Sequence, residues 1–146
     1  MVYKDRIIVS ACLAGEKCRY DGKSKPHPDI VKLVNEGLAI PLCPEVLGGL
    51  PVPRDRSEIE TGDGDTVLEG KARITTDSGK DVTEAFIKGA QEVLNIAQQE
   101  NIRRAILKAK APSCGVTVIV KQGQHADGMG VTAALLKKHR ISLEEI

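Results

Sequence analysis

Cys12, Cys18, Cys43 and Cys114 are the residues of this chain best suited to reactive chemistry. Thiolates act as nucleophiles, as redox partners or as soft ligands for zinc and iron. Three of the four stand in short stretches beside proline or glycine: Ala11-Cys-Leu-Ala-Gly15, Cys43-Pro-Glu45 and Ala111-Pro-Ser-Cys-Gly115. A cysteine that only fills a core belongs inside a strand or helix, so these positions point to a shared site. A structural zinc site wants four closed ligands, usually in C-x-x-C pairs, and no such pair occurs here. An iron–sulfur cluster normally takes four cysteines, so three would leave one iron open as a Lewis acid. Cys18 lies in a polar loop after Cys12 and has three readings: ligand, resolving thiol or bystander.

Two further residues accompany the cysteines. Glu45 follows Cys43 closely enough to project into the same site, where a carboxylate can work as general acid or base. Ser113 precedes Cys114, and its hydroxyl can bond a substrate or a cluster sulfur. The plainer readings are a surface carboxylate and a turn serine bonded to its own backbone. In Cys18-Arg-Tyr-Asp-Gly22, Arg19 is a candidate anion contact and Asp21 a candidate site carboxylate, although Asp-Gly is also ordinary turn chemistry. Arg54 and Arg56 read as solvated charges or ligand anchors. Gly128-Met-Gly-Val-Thr132 reads as a helix-entry turn rather than an anion cradle. His27, His125 and His139 receive no role.

These residues need a scaffold. Arg6–Ser10 reads as a short buried strand, and Glu16–Pro28 as a polar loop. Asp29 reads as the N-cap of a helix carrying Ile30, Val31, Leu33 and Val34, closed by Gly37. Leu38–Leu42 reads as a second strand, with Pro41 counting against a central position. Cys43–Arg56 is rich in proline and glycine and is expected to be irregular. Thr66–Thr76 reads as strand or hairpin, followed by a turn from Asp77. Thr83 reads as the N-cap of a helix from Glu84 to about Glu100, with Phe86, Ala90, Val93, Leu94 and Ala97 at helical spacing. Ala105–Ala109 and Val116–Val120 read as third and fourth strands, Val131–His139 as a helix, and Ile141–Ile146 as a last short strand. Alternating strands and helices predict an α/β fold with a mainly parallel sheet. Cys12, Cys43 and Cys114 then each follow the carboxyl end of a strand, the edge at which open parallel sheets bind ligands.

Composition narrows the function classes. The chain has 146 residues, which predicts one domain. Twenty-one Lys and Arg against 20 Asp and Glu give a net charge of +1, which argues against a polybasic grip on nucleic acid or on a membrane surface. Tyr3, Tyr20 and Phe86 are the only aromatics, too few for a base-stacking platform. No signal-peptide or spanning pattern appears, so a cytoplasmic location is expected. In that reducing setting the cysteines should serve as ligands or catalysts rather than as disulfides.

Several segments together resemble the 2-thiouracil desulfidase family: Ser10-Ala-Cys-Leu-Ala-Gly15, Cys18-Arg-Tyr-Asp-Gly22, Cys43-Pro-Glu45, Gly48-Gly-Leu-Pro-Val-Pro-Arg54, Lys80-Asp-Val-Thr-Glu-Ala-Phe86, Pro112-Ser-Cys-Gly115 and Gly130-Val-Thr-Ala-Ala-Leu135. They occur in family order and span nearly the whole chain. The resemblance implies a single Rossmann-like α/β domain holding a 4Fe–4S cluster through three cysteines, matched here by Cys12, Cys43 and Cys114. It implies that the open iron takes the sulfur of a small thiocarbonyl substrate such as a thiolated nucleobase. Water replaces that sulfur at carbon, and sulfide leaves without net redox change. It assigns proton handling to Glu45 and a site role to Ser113, and it ranks Cys18 below the other three cysteines. Where the family often reads S-P-S-C-G, this chain has Ala111. A non-catalytic sulfur carrier, a structural zinc protein and a thiol redox protein using Cys12 and Cys18 are the rival readings. An exposed cluster of this kind is expected to be missing from aerobically prepared protein.

Overall fold

The computed structural model describes residues 5–146. In chain order the elements are β1 (Ile7–Ser10), a 3-10 turn (Ala11–Ala14), α1 (Pro28–Asn35), β2 (Ala39–Leu42), α2 (Pro44–Leu47), β3 (Ser57–Ile59), α3 (Gly64–Leu68), β4 (Ile74–Thr76), α4 (Thr83–Gln99), β5 (Arg104–Leu107), β6 (Val118–Lys121), β7 (Gln124–Asp127), α5 (Val131–Lys138) and β8 (Ser142–Glu145). Four of the strands form a sheet in the order β2-β1-β5-β8, and every pairing in it is parallel. The α/β expectation therefore holds.

The sheet is buried on both faces because its inner strands are apolar at nearly every step. Successive residues of β1 and β5 point to opposite faces. Ile7, Val9 and Ile106 pack with Leu13 and with Ile30 of α1. Ile8, Ala105 and Leu107 pack instead with Val93, Leu94 and Ala97 of α4 and with Ala133 and Leu136 of α5. Each fully buried aliphatic side chain contributes roughly 1.5–3 kcal/mol. Pro41 is tolerated because β2 is an edge strand, where a missing N–H costs no ladder bond. A second cluster joins Phe86 and Ala90 of α4 to Ile59, Val67 and Ile74, covering the small antiparallel pair β3–β4.

Several expectations need correction. Thr66–Thr76 is not a strand throughout. It holds the end of α3, whose N-terminus is closed by a capping box between Asp63 and Thr66, and then the short strand β4. Val116–Val120 holds the start of a strand as expected, but that strand lies outside the parallel sheet. Its residues start β6, which turns through Gln122 and Gly123, both at positive φ, into antiparallel β7. A β-branched run announces a strand but not its partner, and the fourth place in the sheet belongs to β8. Helix α1 begins at Pro28 with His27 as N-cap, so Asp29 lies inside its first turn. Thr83 is likewise inside α4, and Val82 is the N-cap. Within the stretch expected to be irregular, Pro44–Leu47 forms the one-turn helix α2. Among the described residues no helix is long and apolar enough to cross a membrane.

Candidate functional site

Strands β1, β2 and β5 lie side by side and parallel, so their carboxyl ends open onto one edge. The chain leaving β1 tightens into the 3-10 turn that carries Cys12, and Gly15 closes it at φ 95°. The chain leaving β2 enters Cys43 directly, and Cys43 is the N-cap of α2. The chain leaving β5 runs through Lys108 to the turn holding Ser113 and Cys114. Cys12, Cys43 and Cys114, together with Cys18, line one cavity of about 380 Å³. All four are free thiols.

The Cys114 turn is held from behind by the start of α5. Val131 N–H donates to Pro112 O (2.9 Å), Thr132 N–H to Ser113 O (2.9 Å) and Gly130 N–H to Gly115 O (2.8 Å). The first amides of α5 are thus spent on protein carbonyls, and Gly128–Thr132 is a helix-entry turn. A Cβ on Gly130 would lie 2.5 Å from both Ser113 C and Ser113 O, so only glycine permits this approach. Helix α2 is placed by a similar contact: a Cβ on Gly48 would collide with Ala85 O, and one on Gly89 with Pro44 O. That backbone-to-backbone seat on α4 sets the position of Glu45.

Glu45 faces two groups. Its Oε1 accepts from Ser113 Oγ (3.2 Å), and its Oε2 is ion-paired with Arg54. Ser113 Oγ also lies 3.6 Å from Cys114 Sγ. Arg54 is neither solvated nor a free ligand anchor. Its side chain is only 7% exposed, and it donates further to Cys18 O and Pro51 O at 3.0 Å each. Arg56 is more exposed, pairs with Glu58 and lies over the Tyr20 ring. Arg19 lines the cavity, with Nε 3.6 Å from Asp21 Oδ1. Asp21 is not among the lining residues. Lys23 N–H donates to its carboxylate within their own turn and holds its pKa below the ordinary value.

Arg19, Lys25, Arg54, Arg56, Lys108 and Lys110 line the cavity, against Glu45 and Asp55. This positive surround acts on thiols that burial alone would keep protonated. The Cys43 thiol is lowered to about 7, first by the hydrogen bond from Cys18 and then by the Val46 N–H and Arg54. The same contact pushes the Cys18 thiol up. Burial raises Cys12, with Arg19 and Lys108 opposing it. Burial pushes Cys114 up to about 12, against hydrogen bonds from Ser10 and Ser113. Lys108 itself is lowered by desolvation. The lysines escaped sequence reading; only the position of Lys108, directly after a strand at the ligand edge, marks it.

Among the described residues no group of three or more His, Cys, Asp or Glu is arranged to hold a single metal ion. Ligands of a multi-iron cluster bind different irons and stand further apart than those of one ion. Cys12, Cys43 and Cys114 around a common cavity suit a multi-iron cluster.

Three comparisons bear on the site. A family described as 2-thiouracil desulfurase matches residues 7–145. The chain is 47% identical over 135 residues to the uncharacterised protein YbbK of Bacillus subtilis (strain 168), covering 90% of this chain and 89% of that one. Its structure is similar to that of TudS, a 4Fe–4S-dependent thiouracil desulfidase, with a TM-score of 0.84 and 40% identity, covering 97% of this chain and 91% of the other.

Proposed function

The chain belongs to the 2-thiouracil desulfurase family, and from that premise we propose that the cavity at the sheet edge removes sulfur from a thiolated nucleobase. The protein is an iron–sulfur-dependent desulfidase, and its cofactor is a 4Fe–4S cluster. In the overall change, one thiocarbonyl group and one water give one carbonyl group and one hydrogen sulfide. No electrons are gained or lost.

Cys12, Cys43 and Cys114 would hold the cluster. The donor set fits it: three free thiols from three strand ends around one cavity, one of them lowered to about 7, within a surround of cations. Cys18 stands beside Cys43 and outside the set. When bound, the cluster supplies an iron without a protein thiolate, a Lewis acid for sulfur. The protein's own groups handle protons. Exchange of sulfur for oxygen requires water to lose protons and the departing sulfur to gain them. Glu45 accepts a proton at Oε1, and Ser113 Oγ, within hydrogen-bond reach of that oxygen, orients water or substrate beside it. Acid–base catalysis of this kind contributes about 10²–10⁴-fold.

The convergence of three thiols and the Glu45–Ser113 pair from separate strand ends carries the reading. The cavity volume supports a small thiolated substrate. We also read the chain as one Rossmann-like domain working in the cytoplasm. The parallel order β2-β1-β5-β8 with its site at the carboxyl edge supports the first point. Anaerobic reconstitution with iron and sulfide, followed by 2-thiouracil turnover, tests the function. About four irons should bind per chain, and uracil and sulfide should form over many turnovers. Cys12→Ser, Cys43→Ser and Cys114→Ser should each abolish iron binding, while Cys18→Ser retains it. Stoichiometric sulfide without turnover would mark a carrier. Zinc binding that depends on Cys18 would sink the cluster assignment.

A further inference from the structure

We propose that Arg54 is a positioning residue for this reaction, aiming Glu45 at Ser113 and pinning the Cys18 loop over the same cavity. The inference rests on the desulfidase reading for its catalytic half only. A guanidinium only 7% exposed must have its donors matched, because a buried charge without partners is strongly destabilising. Arg54 meets that demand with three acceptors from three different segments: Glu45 Oε2, Cys18 O and Pro51 O. Its planar fork holds them in one fixed arrangement, which a lysine ammonium cannot reproduce.

Two of these contacts have a consequence at the site. With Oε2 engaged by Arg54, Glu45 has Oε1 left to face Ser113. Helix α2 is a single turn and cannot orient this side chain alone. The bond to Cys18 O ties the polar loop to the wall of the cavity, and the main chain repeats the tie through Arg54 N–H to Tyr20 O at 2.8 Å. Arg54 thus connects the proton-handling carboxylate to the loop that borders the substrate space. Its hydrogen bonds go to neither a thiol nor the Ser113 hydroxyl, so beside its field on Cys43 it works through Glu45 and the Cys18 loop.

The test uses Arg54→Lys, Arg54→Met, Glu45→Gln and the double variant Glu45→Gln/Arg54→Met, each reconstituted anaerobically. Iron content, kcat and KM for 2-thiouracil are measured, together with amide hydrogen exchange of residues 16–23 in the iron-free proteins. Because Arg54 also lowers the Cys43 thiol, kcat is expressed per iron loaded in every variant. Arg54→Met should lower kcat by about 10²-fold with KM changed less than about threefold, and Arg54→Lys should fall between. In the Glu45→Gln background Arg54→Met should cost less than about threefold, since the two residues act as one unit. Exchange across 16–23 should quicken in Arg54→Met. A full multiplicative loss in the double variant, or an unchanged kcat, overturns the proposal. If Arg54→Met fails to fold, Arg54→Lys with Glu45→Gln completes the same cycle. If wild-type protein turns over no thiolated base, the desulfidase reading fails by itself. Exchange then decides the pinning of the loop, and unchanged exchange overturns it.

Discussion

Ser113 is 3% exposed and touches both Glu45 and Cys114. A hydrogen bond to a charged group is worth about 1.5–3 kcal/mol, which corresponds to roughly ten- to hundredfold in rate when it acts in the transition state. Ser113→Ala should therefore keep its iron and lose kcat by about that factor, read from steady-state turnover beside an iron count. Residues of this kind were legible in the sequence because their meaning is local: a cysteine in a proline- or glycine-bounded turn, a carboxylate two positions on, a serine beside a thiol. Arg54 was not. Whether an arginine is solvated or buried depends on which segments fold over it, and Cys18, Glu45 and Pro51 are assembled around it only by the tertiary structure. Lys108 shares that limitation.

At the scale of elements, the site depends on two close backbone approaches, α2 on α4 and the Cys114 turn on α5. Gly130→Ala would force a methyl to within 2.5 Å of the Ser113 carbonyl group. Overpacking of this sort costs about 1–3 kcal/mol, and the yielding part is the turn that carries Cys114. Urea unfolding should show that loss, and iron occupancy after reconstitution should fall with it. Gly49→Ala, with open space around it but a φ of 97°, should lose stability and keep iron. Strands β1, β2 and β5 were readable as apolar runs, and α4 from its spacing. Helix α3 and the partner of β6 were not. The capping box at Asp63 overrides weak strand propensity, and pairing is a long-range choice that a local run does not encode.

For the molecule as a whole, the parallel sheet supplies the convergence on which everything else rests. Placing the cysteines on one shared edge requires only that β1, β2 and β5 run parallel, and they do, with β8 completing the sheet. A cofactor held by the folded state alone adds RT ln(1 + [L]/Kd) to its stability. Holoprotein should therefore unfold at a higher urea concentration than the apoprotein under anaerobic conditions, a shift that disappears with Cys114→Ser.

Cys12, Cys43 and Cys114 come from three distant segments brought together by the pairing of β1 with β2 and β5. During synthesis on the ribosome, a nascent chain that has not yet exposed residue 114 carries at most two of these thiols, with the third still to come. If these three thiols form the centre, it would be complete only after residue 114 has emerged and β5 has joined β1. A three-thiol centre of that kind would be filled after translation rather than during it.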